Sequence, residues 1–159
     1  MFQIEVVELS FDLLDGASRL LADYVHPNGA WTTREQSACR RNLERLLDSP
    51  YADMLIARSD GTCAGFIAMN WGFSTTKGKL ILRIQDLYVS PEWRRQGVAT
   101  ALLARAAAAA SEHDANRLQL ETDTDNAPAR TLYEGLGFEH FPTKETYMYF
   151  VEPAASRSG

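Results

Sequence analysis

Residues 80–105 constrain this chain more than any other stretch. A long apolar run at 80–89 gives way to a short turn at 90–93. Then comes the basic, glycine-bearing run Arg94-Arg95-Gln96-Gly97-Val98-Ala99, inside which a helical pattern starts. A strand that feeds a helix through such a turn aims several backbone N–H groups, unpaired within the helix, at one spot. The positive end of the helix dipole lies behind them. Arg94 and Arg95 add charge, and Gly97 lets the backbone approach a ligand with no Cβ in the way. The stretch reads as a diphosphate cradle; an ordinary strand-to-helix turn with surface arginines is the plainer alternative.

Two familiar phosphate loops do not fit. A Walker A loop ends in Gly-Lys-Ser/Thr, which Gly97-Val98-Ala99 is not, and a dinucleotide fingerprint needs three glycines where this run has one. What remains is Arg94-x-x-Gly97-x-Ala99 after a strand ending Asp86-Leu87-Tyr88-Val89. This resembles the coenzyme A pyrophosphate motif of the GNAT superfamily of N-acetyltransferases. A second motif strengthens the resemblance. Asn126 is followed seven residues later by Tyr133 and then by the turn Gly137-Phe138, as in GNAT enzymes after their fifth strand.

The remaining chain patterns agree with such a domain. A strand-like run at 4–9 precedes a helical pattern at 11–25, for which Ser10 is a candidate cap; His26-Pro27-Asn28-Gly29 stops it. Thr32-x-x-Glu35 has the form of a capping box for a second helix reaching about residue 47, with Cys39, Leu43, Leu46 and Leu47 inward. Strands follow at 54–58 and 63–71 around the turn 59–62, with Gly65 a candidate bulge, then a loop at 72–78 and the long strand. After the alanine-rich helix 97–112, a strand is expected at 117–122, a helix at 127–136, and strands at 138–141 and 146–151. The order β-α-α-β-β-β-α-β-α-β-β implies a mixed α/β (α+β), mostly antiparallel, sheet with helices on both faces. It is the element order of the GNAT fold. With 159 residues, the expectation is one domain at 1–152 and a flexible tail at 153–159.

Composition removes some partners. A net charge of −5 disfavours nucleic acid held by a basic surface. No apolar run approaches membrane-spanning length, the N-terminus lacks a signal-peptide pattern, and Cys39 and Cys63 read as free thiols, so the expected location is cytoplasmic. The three histidines have no ligand spacing, and no metal is expected.

The resemblance implies transfer of an acetyl group from acetyl-CoA to a primary amine. Coenzyme contacts would come from Leu87, Tyr88, Val89, Arg94, Arg95, Gln96, Gly97, Val98, Ala99, Thr100, Asn126, Arg130 and Tyr133. A backbone amide near 87–89 would serve the oxyanion, and Tyr133 would be the catalytic residue, a hydrogen-bond donor to the leaving thiolate. Pantetheine would insert between splayed fourth and fifth strands, giving Tyr88, Val89 and Thr122 backbone roles. Asn126 also has a structural reading as a helix N-cap, and Tyr133, without the resemblance, reads as core or rim.

The chain looks most like the polyamine and small-amine branch, with a departure. Several members carry Glu where this chain has Gln85, and Gln cannot accept a proton. Asp86, Glu121 or Asp123 acting through water are substitutes, each equally readable as a solvated carboxylate. Tyr24, Trp31, Trp71, Phe73, Gln85, Glu121 and Tyr147 are candidate substrate contacts, the aromatic ones because their faces hold cationic amines; each also reads as packing. A protein or peptide N-acetyltransferase and a non-catalytic acyl-CoA sensor stay open, as does a homodimer, which is frequent in this superfamily.

Overall fold

Asp60 and Gly61 set the register of the sheet. Both have positive φ, 48° and 79°. That pair of left-handed residues is what a two-residue type I′ turn demands, and its twist matches that of the strands it joins. In the computed structural model, which describes residues 3–154, this turn links β2 (Ala52–Ser59) to β3 (Thr62–Ser74). β1 (Glu5–Glu8), β4 (Lys79–Val89) and β5 (Arg117–Leu120) complete a five-stranded sheet in the order β1-β2-β3-β4-β5. All pairs are antiparallel except β4 with β5. The mixed, mostly antiparallel sheet is the expected one.

The chain divides into two compact units, 1–121 and 122–159. In the first, a 3-10 turn (Phe11–Leu13) leads into α1 (Leu14–Val25), and α2 (Thr33–Asp48) and α3 (Val98–Glu112) follow. Ser10 provides no side-chain cap; its carbonyl instead accepts the Leu13 N–H at 3.0 Å. Thr32 does close the capping box: Glu35 N–H donates to Oγ1 at 3.2 Å and Thr32 N–H to Glu35 Oε2 at 2.7 Å. Thr32→Ala is expected to lower stability by about 1 kcal/mol, read from the shift in denaturant midpoint.

The strands bury both faces. Met54, Ile56, Phe66 and Ala68 meet Leu14, Ala17 and Leu20 of α1 and Leu43 of α2. The alternate residues Leu55, Ala57, Ile67 and Met69 are buried as well, and α3 packs on these strands with Val98, Leu102, Leu103, Ala106 and Ala110 buried. The alanine run is therefore a close helix-to-sheet contact, since small side chains let the two approach. Leu47, expected inward, is 39% exposed.

Three expectations about strands fail. Gly72, Phe73 and Ser74 are not loop; they extend β3 and pair with Ile81, Leu80 and Lys79, which satisfies backbone groups a loop would leave to water. Gly65 is not the bulge, because the register shift between Ala57 and Arg58 makes Ala64 the extra residue. In the second unit α4 (Ala127–Gly135) forms, but the runs at 138–141 and 146–151 carry no strand pairing. Alternation supplies a face, whereas a strand is held by its ladder partner. Of the expected tail, residues 155–159 lie outside the described residues. Among the described residues no helix is long and apolar enough to cross a membrane, and no group of His, Cys, Asp or Glu is arranged to hold a metal.

Candidate active site

β4 changes partners part-way along its length. It pairs with β3 from Lys79 to Val89 but with β5 only from Ile81 to Ile84. The step occurs at a bulge: Ala68 opposes Asp86 and Met69 opposes Ile84, so Gln85 is the extra residue. Successive strand residues point to opposite faces, and one inserted residue reverses the phase. Ile81 and Arg83 therefore share the α1 face with Asp86 and Tyr88, while Leu82, Ile84 and Leu87 share the α3 face. Gln85 itself is exposed. Beyond Ile84 the edge of β4 towards β5 has no strand pairing, so alternate backbone groups of 85–89 stay available there.

The chain leaves this open edge through a fixed turn. Ser90 N–H donates to Ala64 C=O at 2.9 Å, and Pro91–Trp93 form a 3-10 turn. Arg94 Nε donates to Val89 C=O at 3.0 Å, with its guanidinium 5.9 Å from the Tyr88 ring centroid, so this arginine braces the end of β4. Gln96 Nε2 reaches back to Glu92 C=O at 2.9 Å. Arg95 (φ 61°) and Gly97 (φ 81°) are both left-handed, and Arg95 is exposed with no ion pair among the described residues.

Gly97 is the N-cap of α3 and supplies no side-chain cap, whereas Thr32 and Asn126 cap α2 and α4. The first intrahelical bond runs from Ala101 N–H to Gly97 C=O at 3.0 Å, leaving the N–H groups of Val98, Ala99 and Thr100 unclaimed by the helix. A Cβ placed on Gly97 would meet nothing within 4 Å. Unclaimed donors, a dipole end, an unpaired arginine and open space fit an anionic diphosphate.

On the α1 face, three rings gather beside Asp86. Tyr24 lies 5.8 Å from both Phe66 and Tyr88, and Phe66 lies 6.0 Å from Tyr88. The Tyr24 hydroxyl donates to Asp86 Oδ1 at 2.9 Å. Burial and the Asp23 carboxylate push the Tyr88 hydroxyl above the usual phenol range, against a smaller lowering by Arg94. Trp31 Nε1 donates to Asp23 Oδ1 at 2.7 Å. Glu121 pairs with Arg83 at 3.6 Å.

Trp71 and Phe73 are not part of this gathering. Trp71 donates to Asp53 Oδ2 at 2.9 Å and lies 4.8 Å from the His113 ring at the C-terminal end of α3. The Gly97 turn is at the other end of that helix, about 22 Å away at 1.5 Å per residue. A hollow of about 180 Å³ lined by Glu8, Asp53, Trp71, Glu112 and His113 lies at this far end too. Phe73 is one β3 step further out and 61% exposed.

The second unit contains the other motif. Asn126 Oδ1 accepts the Ala129 N–H at 3.3 Å, the N-cap role, with Pro128 in the first turn. Arg130 Nη1 donates to Thr124 C=O at 2.9 Å. The helix ends in a Schellman arrangement: Phe138 N–H bonds Tyr133 C=O at 3.0 Å, and Gly137 (φ 91°) donates to Glu134 C=O at 3.1 Å. The Tyr133 and Phe138 rings lie 5.5 Å apart, the apolar contact that accompanies this motif. Burial raises the Tyr133 hydroxyl above the usual phenol value. Tyr147 sits outside regular structure and donates to Glu145 Oε2 at 3.0 Å.

Comparison with known proteins bears on the same residues. Residues 18–138 match the Acetyltransferase (GNAT) family, a span that includes both motifs. The chain belongs to the GNAT family. An uncharacterized N-acetyltransferase of Bacillus subtilis, YhfO, is 35% identical over 61% of this chain and 65% of its own length. A putative [ribosomal protein bS18]-alanine N-acetyltransferase of the same organism is 31% identical over 64% of each chain. A crystal structure of a probable acetyltransferase superposes with a TM-score of 0.81, at 28% identity, over 94% of this chain and 99% of the other. The chain spans 62–65% of the length of the first curated relatives it matches.

Within this GNAT chain, the pairing of Tyr24 with Asp86 has no mark in the sequence. Spacing presents Tyr24 as a ring and Asp86 as an isolated carboxylate; only the bulge at Gln85 turns Asp86 towards α1. A bulge adds one residue without any compositional mark, so the chain pattern carries no signal of it.

Proposed function

We propose that the chain is an acetyl-CoA-dependent N-acetyltransferase acting on a primary amine of a small molecule. The observation that carries this is the coincidence at the end of β4: the edge towards β5 opens after Ile84, and the chain then runs into the uncapped, glycine-marked start of α3. The open edge suits an amide-bearing pantetheine arm, which can pair with backbone like an added strand. The α3 terminus suits the diphosphate at the other end of that arm.

The chemistry asked of the residues is modest. A neutral amine nitrogen attacks the thioester carbon, the C–N bond forms, the C–S bond breaks, and the extra proton of the amine passes through water to the departing thiolate or to solvent. A backbone N–H of 87–89 would answer the charge growing on the carbonyl oxygen. Tyr133 is assigned to the leaving sulfur on the strength of its motif. Its raised pKa makes full proton transfer to a thiolate still less favourable, so the hydroxyl acts as a hydrogen-bond donor.

Tyr133→Phe is expected to lower kcat about 10-fold, the worth of one hydrogen bond to a charged group, with acetyl-CoA affinity unchanged. A donor must keep its proton, and a pKa raised above about 10 keeps it protonated throughout the accessible range. The kcat of the wild type should therefore show no alkaline fall below about pH 10. A fall near pH 8 that vanishes in Tyr133→Phe would reverse that assignment.

The deciding experiment is thiol release from acetyl-CoA over polyamines, amino acids, aminoglycosides and N-terminal peptides. Turnover with one small-amine class supports the reading. Turnover only with peptides moves the chain to the second reading, a protein N-acetyltransferase, which the ribosomal-protein relative favours. Tight acetyl-CoA binding without turnover would instead make it a sensor.

A further inference from the structure

We propose that Asp86, held by the Tyr24 hydroxyl on the α1 face of β4, selects a cationic acceptor and turns away amines that carry a carboxylate close by. The inference rests on the acetyl-transfer reading and deepens it. Asp86 is the first residue beyond the bulge, where β4 has lost β5 and the open edge begins. Its side chain is partly buried, and the Tyr24 hydroxyl donates to its carboxylate at 2.9 Å.

No lysine or arginine forms an ion pair with Asp86 among the described residues. Arg83 pairs with Glu121, and Arg94 is fixed on the Val89 carbonyl and over the Tyr88 ring. A partly buried carboxylate with no cation of its own favours an incoming one. The partly exposed rings of Tyr24 and Tyr88 stand beside it, 5.8 Å from one another and backed by the buried Phe66, and their faces add attraction for an ammonium. Asp23 adds negative field at Tyr88 on the same face, partly offset by Arg94. Polar contacts from Tyr24 and from Trp31 orient the two carboxylates and leave their charge in place. An acceptor carboxylate would meet the like charge of Asp86 and Asp23 here.

Putrescine and γ-aminobutyrate test this, being four-carbon amines that differ only in a far ammonium or carboxylate. With the full chain and acetyl-CoA, putrescine should have the higher kcat/KM by about 10-fold or more. Asp86→Asn should raise KM for putrescine about 10-fold and change kcat by less than about 3-fold. It should also bring the two acceptors within about 3-fold of each other while leaving calorimetric acetyl-CoA affinity unchanged. Tyr24→Phe keeps the carboxylate but frees it, and should raise KM in the same direction by about 3-fold. It also guards against an Asp86→Asn protein that fails to fold. Equal use of both acceptors by the wild type, or an unchanged KM and preference in a folded Asp86→Asn, overturns the assignment while acetyl transfer stands. Absence of acetylation for every amine, or of acetyl-CoA binding, removes the proposed function itself.

Discussion

Gly97→Glu is expected to abolish measurable acetyl-CoA binding, a loss of at least about 100-fold by calorimetry. Three effects act together. Gly97 sits at φ 81°, where a residue with a Cβ is strained by roughly 1–2 kcal/mol. The Cβ would project into open space, so the side chain would occupy the volume in front of the unclaimed α3 donors. Its carboxylate would then satisfy those donors and repel a diphosphate. Gly97→Ala separates the causes, since it carries the backbone strain without the charge. Its binding should drop by no more than about 10-fold, the most that strain can cost if the free protein relieves it by shifting the turn. Undiminished affinity in Gly97→Glu would remove the α3 terminus from the coenzyme site.

Gly65→Val is expected to cost about 3 kcal/mol or more of stability. A Cβ at Gly65 would lie 2.6 Å from the Tyr88 carbonyl oxygen and 3.2 Å from Val89 Cα. These are backbone atoms of the paired strand and cannot swing aside as a side-chain tip would. Gly65 pairs directly with Val89 in the β3–β4 ladder, so the two backbones pass close at this point. Because the displaced segment is the one leading into the Gly97 turn, coenzyme affinity should fall along with the denaturant midpoint. An unaltered midpoint would mean that β3 and β4 slide apart without penalty.

Much of this was legible in the chain itself. The strand, turn and glycine of residues 80–99 declared a strand-to-helix anion site, and Asp60-Gly61 and Thr32-x-x-Glu35 declared a hairpin and a capped helix, because these devices depend on neighbours in sequence. The two sites where one residue is inserted into a strand were not legible. Gln85 and Ala64 look like ordinary strand residues, and what makes them bulges is the partner strand's register. The same reason hid the Tyr24–Asp86 bond, which joins residues 62 positions apart. Trp71 and Phe73 misled in the opposite way. Aromatic side chains announce a capacity for cation binding, but their place at the far end of β3 is decided by pairing. The runs at 138–141 and 146–151 had the right alternation, and alternation is silent about whether a ladder partner exists.

The insertion at Gln85 makes β4 a strand of two independent halves. Up to Ile84 its faces serve the core that β3, β5 and α3 share; after it, the face assignment restarts and presents Asp86 and Tyr88 to α1. Deleting that single residue would restore plain alternation with Ile84 and Asp86 still on opposite faces, whereas pairing Gln85 into the ladder would turn Asp86 under α3 and put a leucine before Tyr24. Changes of acceptor can therefore be explored by substitution in the distal half without touching the packing of the proximal half. A slip of register at this point would reassign every distal side chain at once.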